Sequence, residues 1–341
     1  MPRALIVGGT GLVGRAVARR LLAKGWEVDV TGRDPAHLPD DLAAAGGRFV
    51  AAARDDSDQL LAALGAGADL LVDCICFTAA DASRLLPLVR SAGATVMISA
   101  KAVYVDGAGN HVNSETAPRF DGPVHESQPT VSPGDGDYRT REGYAANKVA
   151  GERVLLDSGH PVTVLRPSKI HGPGARLPRE WVFVRRVLDR RPAVFLANRG
   201  AGIDHPTAAA NMAALIETVA ANPGGRILNS ADPDAPSALE ISRTIAQRLD
   251  HVWREVLLDE GAGPLGAHPW DTRYPIVLDT TASLELGYEP AGSYAETIGD
   301  EIDWLVAAAS EGGNGLSRID HGYFEPMFDY EAEDRYLAAR A

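Results

Sequence analysis

Short apolar runs recur along the first half of the chain, each followed by a stretch with apolar residues at helical spacing. The runs Arg3–Val7, Glu27–Thr31, Arg48–Ala52, Asp69–Cys74, Thr95–Ser99 and Val162–Arg166 predict strands. Between them, Leu12–Lys24, Gln59–Leu64, Ala80–Ser91 and Tyr144–Leu156 predict helices. Short apolar strands alternating with helices predict an α/β fold, a parallel sheet covered on both faces. Right-handed crossovers then give the doubly wound order 3-2-1-4-5-6. Such sheets bind ligands beyond the carboxyl ends of their strands, so Gly8, Asp73, Ser99 and Pro167 are expected to border one crevice.

Beyond Gly172 the pattern loosens. Helices at Glu180–Asp189, Ala208–Ala221, Ser237–Leu249 and Tyr294–Ala309 alternate with strands at Val194–Leu196 and Arg226–Asn229. The expected division is residues 1–171 for the sheet domain, with an insertion at 105–143. A smaller α+β lobe at 172–311, partly interleaved with the first domain, and a tail at 312–341 complete it. The insertion is polar and rich in Gly, Pro and acidic residues; a loop of this length between two site elements reads as a substrate lid. The tail carries Tyr323, Phe324, Phe328, Tyr330 and Tyr336, too aromatic for a free end, and is expected to dock on its own subunit or on a partner.

At 341 residues the chain can bury a large core. Its net charge of −13 argues against nucleic acid as a partner. No apolar stretch approaches the roughly eighteen residues of a membrane span. The chain enters a strand by residue 3, so no signal peptide is expected. Cys74 and Cys76 fall on one face of the run Leu70–Phe77 and read as buried thiols in a reducing cytoplasm. Of 33 basic residues only Lys24, Lys101, Lys148 and Lys169 are lysines, and the last three sit at predicted strand ends around the crevice. No His, Cys or carboxylate set shows metal-ligand spacing, and no Gly-x-Ser-x-Gly elbow is present.

Two motifs carry chemistry. Val7-Gly-Gly-Thr-Gly-Leu-Val-Gly14 joins the first strand to the first helix with glycines at 8, 11 and 14, a turn that lets backbone approach a diphosphate at a helix start. Tyr144-Ala-Ala-Asn-Lys148 puts a tyrosine and a lysine on one helix face. Together they resemble the signature pair of the short-chain dehydrogenase/reductase superfamily, and the chain resembles its extended branch, the NAD-dependent epimerase/dehydratase family.

The resemblance implies a Rossmann-type domain in which Gly8, Thr10, Gly11, Leu12, Val13, Gly14, Arg33, Asp55, Cys74, Ile75, Ser99, Tyr144, Lys148, Pro167 and Ile170 hold the dinucleotide. It implies that Tyr144 exchanges a proton with the substrate oxygen and that Lys148 lowers its pKa. Relatives that use NAD carry an acidic residue where this chain has Gly32, followed by Arg33, which points to NADP, with NAD possible. The serine or threonine expected four residues before Tyr104 is Ala100. Its neighbour Ser99, or Lys101 as a stabiliser of a developing alkoxide, is then the candidate replacement, with Ser168 or a lid residue as others.

The substrate-facing positions depart from the sugar-nucleotide pattern. Ala100-Lys101-Ala102 stands where 4,6-dehydratases resemble Thr-Asp-Glu; Lys169 replaces an asparagine, and Asp204 falls where a diphosphate-clamping arginine is expected. Phe77, Lys101, Lys169 and His171 are the candidate substrate contacts. The leading reading is an NADP-dependent reductase of a small ketone or aldehyde. The alternatives are a nucleotide-sugar epimerase or related isomerase with tightly bound NAD(P), and a non-catalytic dinucleotide sensor. A small-molecule substrate is expected, with neither nucleic acid nor membrane as partner, and the family implies a homodimer.

Overall fold

Every side chain from Ala4 to Val7 is buried, because a strand covered on both faces has no polar side to alternate with. In the computed structural model, which describes residues 1–259, 265–320 and 322–340, this run is β1 (Arg3–Val7). It is followed by α1 (Leu12–Ala23), β2 (Glu27–Gly32), α2 (Asp40–Ala44), β3 (Arg48–Ala51), α3 (Ser57–Leu64) and β4 (Ala68–Asp73). Then come α4 (Ala79–Val89), β5 (Ala92–Ile98), α5 (Arg141–Leu156), β6 (Val162–Pro167), β7 (Lys169–His171) and α6 (Trp181–Leu188). The chain continues through β8 (Ala193–Leu196), β9 (Pro206–Ala208), α7 (Ala209–Ala221), β10 (Arg226–Ser230), α8 (Ala238–Arg248) and β11 (Arg254–Leu257). It ends with α9 (Thr281–Glu285), α10 (Tyr294–Thr297), α11 (Gly299–Ser310), α12 (Gly313–Ile319) and α13 (Tyr330–Ala338).

Seven parallel strands form the central sheet in the order β10-β6-β5-β4-β1-β2-β3. The expected doubly wound order is present, with one strand added. The strand expected at Arg226–Asn229 in the smaller lobe is β10 and pairs instead with β6, Ile227 opposite Val164. The register sets Val7 opposite both Thr31 and Asp73, so the strands deliver their carboxyl ends to one edge. β4 stops at Asp73, and Cys74 and Cys76 lie on the turn after it rather than on the strand; both are free thiols.

Contacts divide the chain into two units. The first is Met1–Ile170 with Thr207–Asp232 and Leu278–Ala291. Ile6, Val28 and Leu215 pack on one side of its sheet, Leu5, Leu71 and Leu155 on the other. The second is His171–Pro206 with Pro233–Val277 and Gly292–Ala341, built around Trp181, Ile241 and Ile302. The first crossing between the units falls after Ile170, and α7, β10 and α9 return to the sheet.

The 105–143 insertion belongs to the first unit. Asp106 organises it by accepting from the amides of Ala108, Asn110 and Arg119. The tail docks on α6 of its own chain: Arg186 and Glu333 form a buried ion pair at 2.8 Å, and Tyr330 Oη donates to Asp189. Among the described residues no helix is long and apolar enough to cross a membrane.

Candidate active site

The turn between β1 and α1 uses its glycines for three different reasons. Gly8 has φ of 76°, the left-handed region. Gly14 is a packing glycine, since a Cβ there would stand 2.5 Å from Gly9 Cα. Gly11 is the open one: its Cβ direction meets only the Gly8 carbonyl at 3.4 Å. Gly11 also caps α1 without a side-chain bond, which leaves the amides of the first turn, Leu12, Val13 and Gly14, for a ligand. An uncapped helix start under an open glycine fits a diphosphate.

The neighbouring strand end fits the rest of a dinucleotide. A Cβ on Gly32 would lie 2.9 Å from the Phe49 ring and 3.3 Å from Thr10, so this position cannot carry the acidic side chain of NAD-using relatives without displacing Phe49. Arg33 beside it is exposed and makes no ion pair among the described residues. The nearby carboxylates are engaged: Asp29 pairs with Arg3 and Arg48, and Asp34 accepts from the Ala36 amide. Asp55 is exposed on the turn before α3. Ile75 reaches that turn, 3.0 Å from where a Gly8 Cβ would be.

Tyr144 and Lys148 lie one turn apart on α5, whose start is fixed by Thr140 Oγ1 accepting from the Gly143 amide. Lys148 Nζ is 5.9 Å from the Tyr144 ring centroid. It donates to the carbonyls of Cys76 (2.8 Å) and Ile98 (2.9 Å), which pins it at the ends of β4 and β5. It also stands 4.4 Å over the Phe77 ring. Burial pushes the Lys148 ammonium down and the Tyr144 phenol up. Tyr144 therefore holds its proton at neutral pH, the state a proton donor needs. Phe77 stacks in turn on Tyr138 of the insertion, ring centroids 5.2 Å apart.

Ser99 is engaged away from Tyr144 and Lys148 by hydrogen bonding. It is buried and its hydroxyl donates to Glu152, which is ion-paired with Arg166 at 2.5 Å. Ala100, half-buried, presents no hydroxyl in its place. Lys101 is buried in a single turn of 3-10 helix at Lys101–Val103. Asp73, expected to border the crevice, is fully buried and paired with Arg54. Sequence reasoning missed Arg54, Glu152, Arg166 and Tyr138; an arginine within a largely apolar strand, Arg166 in β6, was the one available signal.

Pro167 closes β6 and is buried, while Ile170 packs against the first unit's core and Lys169 is half-buried on β7. His171 falls in the second unit. Its ring lies 5.1 Å from Tyr294, and its Nδ1 is 4.0 Å from Glu301. Burial and the neighbouring Glu180 push Glu301 well above the usual carboxylate range. Among the described residues no cluster of His, Cys, Asp and Glu could hold a metal ion.

The family model described as NAD dependent epimerase/dehydratase matches residues 4–223. No curated protein matches the sequence. Among solved structures, dTDP-glucose 4,6-dehydratase from Bacillus anthracis in complex with NAD superposes with a TM-score of 0.67 at 15% identity, covering 90% of this chain and 97% of that one. UDP-glucose 4-epimerase from Thermus thermophilus with NAD gives 0.64 at 18% identity, covering 89% and 98%. UDP-glucuronic acid 4-epimerase from Bacillus cereus, with UDP-glucuronic acid and NAD, gives 0.63 at 16% identity over 89% and 99%. At these identities the likeness establishes the fold.

Proposed function

The chain belongs to the NAD-dependent epimerase/dehydratase family, and from that premise we propose that it is a nucleotide-sugar epimerase or related isomerase that retains its nicotinamide dinucleotide through the reaction cycle. The observation that carries this reading is Lys148, pinned by the Cys76 and Ile98 carbonyls one helical turn from Tyr144. Bound at the glycine turn, the dinucleotide supplies a reversible hydride acceptor. Once Tyr144 has lost its own proton, a state the Lys148 ammonium favours, its phenolate takes the proton of a substrate hydroxyl, and the phenol so formed gives it back to the oxygen of the inverted product. The amides of Leu12–Gly14 hold the diphosphate, and Arg33 takes a 2′-phosphate, so NADP is the cofactor. Tyr138 and the 105–143 segment cover the site as a lid. The enzyme is cytoplasmic, takes a small-molecule substrate and forms a homodimer through the Tyr144 helix.

The names of the structural neighbours favour this reading over an NADP-dependent ketone or aldehyde reductase. The reductase stands second, favoured by Gly32-Arg33 and by Lys169 in place of the asparagine. Two measurements separate them. Dinucleotide that stays stoichiometric through gel filtration supports the isomerase; net consumption of added NADPH with a simple ketone supports the reductase. In either case Tyr144→Phe abolishes turnover with dinucleotide binding retained, and full activity in that variant sinks both. Arg33→Ala is expected to weaken NADPH about tenfold or more, roughly 1.4 kcal/mol, with NADH unchanged. A non-catalytic sensor is the reading left if Ala100→Ser and the unaltered chain are equally inert.

A further inference from the structure

Lys148 is held by a turn, and the turn is held by Arg54. Between the end of β4 at Asp73 and the start of α4 at Ala79, the chain offers Lys148 the Cys76 carbonyl and the Phe77 ring. Two carboxylates shape this segment. Asp73 Oδ1 accepts from the Ile75 amide (2.9 Å), and Asp81 Oδ2 accepts from the amides of Phe77 (3.1 Å) and Thr78 (3.0 Å). Arg54 reaches both anchors: its Nη2 donates to Asp73 Oδ2 (2.6 Å) and to the Asp81 carbonyl (3.0 Å). Asp73 is completely buried and the Arg54 side chain only 13% exposed. Arg54 Nε and Nη1 are buried without a hydrogen-bond partner among the described residues. A guanidinium buried with two nitrogens unsatisfied is an unfavourable way to fill space, and it calls for a specific explanation.

We propose that Arg54 is a positioning residue for Lys148: through Asp73 and Asp81 it fixes the 73–78 turn that aims the Cys76 carbonyl and the Phe77 ring at the lysine. The functional meaning of this inference rests on Tyr144 and Lys148 being the reacting pair; its geometry does not.

Charge follows the same route. The groups that bear on the Lys148 ammonium are Cys76, Asp73, Glu152 and Asp81, with Tyr144 on its own helix. Burial pushes the Cys76 thiol up, so it is neutral. Glu152 is engaged by Arg166, and Asp81 by the Phe77 and Thr78 amides and by Arg84 at 3.4 Å. Asp73 is the remaining anion. Burial pushes its carboxyl up and Arg54 pulls it back. Both its oxygens accept N–H groups, which is the geometry of an ionised carboxylate. Losing Arg54 therefore protonates Asp73 and withdraws support from the ammonium.

The chain has only four lysines, so selective 13C labelling at lysine Cε, assigned through Lys148→Arg, reads this one group in the full-length protein without substrate. Arg54→Met and Asp73→Asn are each expected to lower the Lys148 titration midpoint by about one pH unit. The double variant should lower it no further, because the two act as one unit. Unchanged midpoints in variants that melt cooperatively overturn the proposal. Should those variants fail to fold, Arg54→Lys carries the test: it keeps a cation on Asp73 but loses reach to Asp81, and the Phe77 ring then shifts the Lys148 resonance. An unmoved resonance overturns the proposal as well. A responsive Lys148 in a chain whose Tyr144→Phe variant stays active would keep the positioning and remove the catalytic assignment.

Discussion

The Ser99 hydroxyl donates to the Glu152 carboxylate, and Glu152 grips Arg166 through Nη2 (2.5 Å) and Nε (3.1 Å). Ser99 thus completes a buried ion-pair network at the end of β5. Ser99→Ala is expected to lose about 1–3 kcal/mol of stability, the cost of a buried acceptor left short of a donor. Turnover per folded molecule should stay within about threefold. Thermal melts and turnover measured together check this. A loss of about a hundredfold in turnover, the scale of a missing transition-state donor, would return Ser99 to the chemistry.

Gly14 and Gly11 are three residues apart and should fail differently. Gly14→Ala drives a Cβ to 2.5 Å from Gly9 Cα, between backbone segments that cannot yield cheaply. It is expected to cost about 1–3 kcal/mol or more of stability. Gly11→Ala has space and an ordinary φ of −79°, so its melting temperature should match the unaltered chain. Its methyl enters the open face of the turn, and nicotinamide fluorescence titration should show dinucleotide affinity reduced about tenfold or more. Equal affinity would mean that the diphosphate does not approach there.

Acid should loosen the insertion through Asp106. The amide of Arg119, with those of Asn110 and Ala108, holds its carboxyl down at about 2. An unfolded aspartate titrates near 3.9, so between these values the unfolded chain binds more protons than the native one. Stability from this group is full above about pH 4 and is lost as pH falls towards about 2. The melting-temperature gap between the unaltered protein and Asp106→Asn is expected at pH 6 and should close over that window. A gap that does not change with pH would place the effect outside the carboxylate.

In the tail, Arg186 also donates to the carbonyls of Val182 (2.9 Å) and Met327 (2.5 Å), so Glu333 is its one ionic partner among the described residues. Both side chains are 2% exposed. Glu333→Ala leaves a buried cation and is expected to cost about 3–5 kcal/mol. Replacing both members, Arg186→Met with Glu333→Leu, should recover most of that loss. Denaturant melts of the three variants decide it; a mild Glu333→Ala with no recovery in the pair would show that the tail is held elsewhere.

The six strands read from the first half stand where their apolar runs lie, because burial on both faces leaves little other use for such runs. Arg226–Ser230 looks the same in sequence and joins the same sheet, yet its pattern carries no address, so its neighbours were not legible. Tyr144 and Lys148 were readable since helical spacing alone puts them on one face. Ser99 was not, because a hydroxyl's direction at a strand end depends on Glu152 and Arg166, 53 and 67 positions away. Arg54 was not legible either, because its pairing with Asp73 joins a turn to a strand end 19 positions away. The tail's aromatics announced docking; its place on α6 is specified by Arg185, Arg186 and Arg191, which look like surface charge in the sequence.

The backbone passes from one unit to the other after Ile170, Pro206, Asp232, Val277 and Ala291. Neither unit is a continuous stretch of gene. A single recombination cannot transplant the second unit onto another dinucleotide domain, and a single cut cannot release it. New specificity must then come by point substitution or loop insertion within a shared scaffold. A ribosome, likewise, has to deliver Ala291 before the first unit has all of its parts.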